Sequence, residues 1–131
     1  MADYTARRIE EMEGTYGGFF KRARAELGVG SFGMAIIDLP PGSTGYPEHD
    51  HSHDDQEEVF VALRGGGAVE VDGQRVPFDT ETLVRVGSNA RRRVLAGDEG
   101  VRVLVLGGVP GKPYQPPRFS ELGAAETPGA D

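Results

Sequence analysis

The sequence predicts an all-β domain: one barrel of short antiparallel strands, with a short helix before it. Apolar runs of strand length recur along the chain, and glycine, proline or an Asp-Gly pair closes each of them. Glycine numbers 20 and proline 9 in 131 residues, a composition suited to a chain that reverses often. Helical spacing is confined to residues 19–27, where Phe20, Ala23 and Leu27 share a face and Gly28 is placed to end the helix.

Taken in order, residues 1–13 are polar and mixed in charge. Tyr4 and Ile9 suit an edge strand, laid on the barrel itself or on a second subunit. Residues 32–39 read as a strand, and Pro40-Pro41-Gly42-Ser43 turns it. A histidine-rich segment then leads into a strand over 58–64. Gly65-Gly66-Gly67 permits a bend or bulge. It is not a phosphate loop, because no Lys-Ser/Thr and no helix follow. Asp72-Gly73 is a two-residue hairpin signal, with the return strand starting at Gln74. Residues 83–86 form a further strand, Gly87-Ser88-Asn89 a turn, and 97–100 another turn. The last strong strand covers 101–106. From Gly111 the chain is poor in apolar residues and reads as a flexible Pro/Gly-rich tail, which Tyr114 and Phe119 can dock locally. The domain organisation is thus an N-terminal strand and helix over 1–29, a barrel over 30–110 and the tail over 111–131.

The chain-wide composition excludes several classes. A net charge of −7 argues against nucleic acid and anionic membrane surfaces as partners. No apolar run is long enough to span a membrane, and no signal-peptide core opens the chain. Cysteine is absent, so disulfides, thiolate ligands and a cysteine nucleophile are excluded, and a cytoplasmic location is expected.

All three histidines, His49, His51 and His53, alternate within one short stretch. In a strand, residues two apart face the same way and lie about 6.6 Å apart, so two imidazoles can lean onto one ion. Glu58 heads the apolar run and needs a partner if buried, because an unpaired buried carboxylate is costly. A bound metal is one such partner. A solvated, pH-responsive loop is the other reading of three histidines among acids.

The spacing Gly45-x5-His51-x-His53-x4-Glu58-x6-Gly65 resembles the first conserved motif of the cupins. The resemblance covers roughly residues 30–108. It implies a double-stranded β-helix, a jelly-roll barrel, built as a single domain since the chain shows no internal repeat. It implies that His51, His53 and Glu58 are metal ligands. Glu57 is the rival carboxylate, and Glu58 fits because six residues then separate it from Gly65. The second cupin motif is altered here. Its ligand histidine would fall at about Ala90, and Val86 stands where its proline would be. His49 or Gln56 is then the candidate to complete the set. Donors of this kind suit Fe, Zn, Mn, Ni or Cu alike.

Two functions follow as expectations. One is a metal-dependent enzyme, of oxygenase or isomerase type, acting on a small molecule. The other is a non-catalytic cupin that binds a small ligand over a degraded metal site. In the run Arg91-Arg92-Arg93, alternation puts Arg91 and Arg93 on one face, and these are the candidates to reach an anionic substrate. The exposed edges of a small barrel also predict a homodimer.

Overall fold

The computed structural model describes residues 2–126. Its strands are β1 (Gly14–Thr15), β2 (Phe20–Lys21), β3 (Gly33–Leu39), β4 (Glu57–Val71), β5 (Gln74–Asp79), β6 (Val84–Val86) and β7 (Arg92–Gly108). The one α-helix among the described residues, α1 (Ala23–Leu27), ends on Gly28, whose φ of 78° lets its N–H close back on the Arg24 and Ala25 carbonyls. The helix is shorter than expected because Phe20 and Lys21 pair with Ile37 and Ile36 of β3 instead. Within the chain, no strand forms around Tyr4 and Ile9: Tyr4 is exposed, and Ile9–Glu11 is a single 3-10 turn.

All pairings are antiparallel, in the order β1-β2-β3-β7-β4-β5, with β6 on the free side of β4. The sheet folds over on itself because β4 and β7 are long and each takes part in both of its halves. One half of β4 pairs with residues 101–108 of β7 and the other with residues 92–96, with register shifts at Ala62/Arg64 and Gly65/Gly67. The turn expected over 97–100 is therefore a bulged corner inside one strand. Sequence gives both the same glycine-rich signature, and only long-range pairing separates them.

Alternation sends Phe60 and Val69 of β4, Phe78 of β5, Val86 of β6, and Val94 and Val103 of β7 into one core. Since both halves of the bent strands feed that core, the expected all-β barrel is present. Met12, Ala23 and Ile36 form a smaller cluster outside it, where the N-terminal segment lies on β3. Arg102 fastens that segment, with Nε on Asp38 at 2.7 Å and Nη1 on Glu10 at 2.8 Å.

Gly65 holds the corner at a φ of 73°, and a Cβ there would run into the Gly100 carbonyl. Gly65→Ala should therefore cost about 2–4 kcal/mol from combined backbone strain and overpacking. Urea unfolding that leaves the midpoint within error of wild type would show that the corner yields.

Candidate functional site

Three elements converge at one end of the barrel. The histidine segment arrives from Gly45 and is pinned at two points. His49 and Arg92 exchange backbone hydrogen bonds of 3.0 and 2.8 Å, and the His51 N–H donates to the Ser88 carbonyl at 2.8 Å. The chain then turns. The Asp54 and Asp55 N–H groups both donate to the His51 carbonyl, with Asp55 in the left-handed region at φ 61°. The segment is extended only as far as His51, so strand parity does not carry over to His53.

The turn places the candidate ligands in two groups. His49, His51 and Glu58 each offer an atom to a group in which all three lie within 4.8 Å of one another. The side chain of His53 is 54% exposed and lies beside Asp54, with which it and His51 form a second, outer group. Gln56 is buried and lines the cavity, with its amide over Gly107 and its Nε2 towards Asp54 at 3.4 Å. Glu57 points outward to Arg85 at 2.8 Å, as alternation requires.

The buried group is arranged for a cation. His51 Nδ1–H donates to the Asp54 carboxylate at 3.1 Å, which leaves Nε2 facing Glu58 Oε1 at 3.5 Å. Two lone-pair atoms meet there, and neither has a hydrogen-bond partner among the described residues. Such a pair needs a proton or a metal between its members. Burial pushes the His51 imidazolium down, but the Glu58 carboxylate facing its Nε2 and the charge of Asp54 outweigh it and raise its pKa above the usual value. His49 is oriented in its turn by Nδ1 on the Pro47 carbonyl at 3.0 Å.

The arginine run is placed opposite to the expectation. Arg91 pairs with Glu48 at 3.7 Å and Arg93 with Glu70 at 2.9 Å, and neither lines the cavity. Arg92 is the inward residue. It is fully buried, its Nη2 donates to the Gly87 carbonyl at 2.7 Å, and its Nη1 stands 3.7 Å from Glu58 Oε1. Ala90 packs at the edge of the core. The signal for Arg92 was present in the sequence: it shares parity with Val94, a core residue.

Below the group lies a cavity of about 350 Å³. Its floor is glycine because nothing larger fits there. Gly33 and Gly107 are register partners, and a Cβ on either would strike the Gln56 amide or the Tyr114 hydroxyl. Its far wall comes from residues that sequence reasoning missed, Arg22 and Arg24, with the C-terminal segment laid across them. Phe119 packs on Phe20 with ring centroids 5.7 Å apart, Arg24 pairs with Glu121 at 2.9 Å, and the Tyr16 N–H donates to Glu126. Up to Glu126 the segment is thus a strap across the cavity rather than a free tail; residues 127–131 of that expectation lie outside the described residues. Deleting residues 117–131 should cost about 1–3 kcal/mol through the lost aromatic and charged contacts. A thermal melt identical to that of the full chain would contradict the strap.

The sequence profile of the cupin domain matches residues 35–107. No curated protein matches the chain in sequence. Among solved structures, a cupin protein from Bacteroides fragilis is 16% identical over 97% of this chain and 100% of its own, with a TM-score of 0.67. A sugar phosphate isomerase of the cupin superfamily from Silicibacter pomeroyi is 16% identical over 79% of this chain and 74% of its own, with a TM-score of 0.62. A predicted oxalate decarboxylase from Thermotoga maritima is 23% identical over 59% of this chain and 65% of its own, with a TM-score of 0.52. At these identities the likeness is one of fold.

Proposed function

The chain belongs to the cupin family, and from that premise we propose that it is a metal-dependent enzyme acting on a small molecule inside the barrel. The observation that carries the reading is the buried meeting of His51 Nε2 and Glu58 Oε1, 3.5 Å apart, with His49 in the same group. Two imidazoles and a carboxylate fit a divalent transition metal, and Fe, Zn, Mn, Ni and Cu all accept that set. Bound there, such an ion would supply a Lewis acid for a substrate oxygen, or a site for activating water or O2. The chain's own residues do the rest. Asp54 holds the His51 ring in place, Gln56 and Tyr114 border the space above Gly33 and Gly107, and the strap limits entry of water. Isomerase and oxygenase chemistry both fit this arrangement. The solved cupins named an isomerase and a predicted decarboxylase give the enzyme class precedent within the fold.

A second reading has its own observation. Arg92 already places a buried cation 3.7 Å from Glu58, as an internal counter-ion would. On that reading the barrel binds a small ligand without catalysis. Elemental analysis of protein purified without a metal-affinity tag separates the two. About one transition metal per chain is expected for the enzyme. A metal-free chain that stays folded and takes up no added divalent ion would establish the second reading.

The working form proposed is a cytoplasmic homodimer. Its support is a cysteine-free chain and a strand order that ends on β1 and β5 among the described residues. Sedimentation showing only a monomer at micromolar concentration would overturn the dimer. No helix among the described residues is long and apolar enough to cross a membrane.

A further inference from the structure

We propose that the cavity takes a small organic carboxylate, with its charged end on the Arg22 guanidinium and its apolar body against Phe20 and Phe119. This names the ligand class for the site proposed above. It rests on that reading only for the events at the histidine end.

Arg22 is 3% exposed and lines the cavity. Its Nη2 donates to the Ala124 carbonyl at 2.9 Å. Its Nε has no hydrogen-bond partner among the described residues, and no carboxylate of those residues pairs with it. A guanidinium this deeply buried with only a carbonyl for company is costly unless an anion joins it. What sets Arg22 apart from the other buried arginines is that it has no carboxylate beside it among the described residues. The chain has 21 acidic residues against 14 basic ones, so carboxylates are in surplus. Arg24, next but one along the chain and also on the cavity wall, has found one in Glu121 at 2.9 Å. Arg22 has not.

One unbalanced cation suits a monoanion. A carboxylate presents two oxygens to the guanidinium fork and brings a single charge. A phosphate brings nearly a second charge, and Arg24 already has the Glu121 carboxylate beside it at this end. Phe19, Phe20, Met34, Ile37 and Phe119 supply apolar wall beside the arginine. The volume of about 350 Å³ lies at the small end of ligand pockets, so the ligand is small. The expected anion contact thus moves from Arg91 and Arg93, which face outward, to an arginine of the N-terminal segment.

The test is calorimetry on chelator-treated, metal-free protein, with phenylacetate and its uncharged isostere phenylacetamide as probes. Phenylacetate should bind at least about tenfold more tightly than the amide. Arg22→Gln should remove at least about tenfold of the acid's affinity, Arg22→Lys should keep part of it, and Arg91→Gln should change nothing. The proposal is overturned if acid and amide bind alike, if Arg22→Gln binds the acid as wild type does, or if millimolar acid gives no binding. The acid–amide comparison uses the unaltered chain, so a poorly folding variant does not remove the test. Because no metal is present, failure here leaves the metal reading standing. A chain that never takes up metal but prefers the acid would keep this proposal and end the other.

Discussion

Replacing Arg92 with methionine should cost about 3–5 kcal/mol of stability, read from urea unfolding. Methionine fills much of the volume, so the loss is chiefly one of charge. Arg92 is fully buried, and Glu58, 8% exposed, would lose the cation 3.7 Å from its Oε1. The Val86 and Gly87 carbonyls would lose their Nη2 donor as well. An uncompensated buried carboxylate must then find a proton or open the site to water. An added divalent ion should return part of the loss, since it supplies Glu58 with the missing positive charge. A midpoint shift of well under about 1 kcal/mol would show that Glu58 does not depend on Arg92.

The second large effect is on metal affinity. His51→Ala should weaken binding by more than about 100-fold, because even the outer partners of a ligand are worth about 10–100-fold. Asp54→Asn should fall within that outer range. It loses the charge on His51 Nδ1 without touching the metal-facing nitrogen. Equilibrium titration with a divalent ion reads both. Equal affinity in wild type and His51→Ala would remove His51 from the site.

The readable parts of this chain are those where local pattern and long-range structure agree. The runs read as strands over 32–39, 58–64 and 101–106 fall within β3, β4 and β7 to within a residue, and burial alternates along 57–62 and 101–108. Asp72-Gly73 makes its hairpin with φ values of 48° and 82°. The spacing and the cupin resemblance singled out His51 and Glu58, which lie 3.5 Å apart. Strand parity does not reach His53, because the aspartates of Ser52-His53-Asp54-Asp55 fold back on the His51 carbonyl. Arg92 was hidden by two neighbours of its own kind, although its parity with Val94 decides its face. Arg22 was beyond local reasoning. Its burial comes from Ala124 and the strap, about a hundred residues away in sequence, and no local pattern carries that contact.

The central claim is that His49, His51 and Glu58, rather than His53, hold a metal. The most direct measurement is metal content per chain for wild type, His49→Ala, His51→Ala, Glu58→Gln and His53→Ala, all loaded identically and desalted. About one equivalent is expected in wild type and in His53→Ala, and little in the other three, because His53 sits outside the buried group. Full occupancy in His51→Ala and Glu58→Gln, or loss in His53→Ala with retention in His49→Ala, would contradict it.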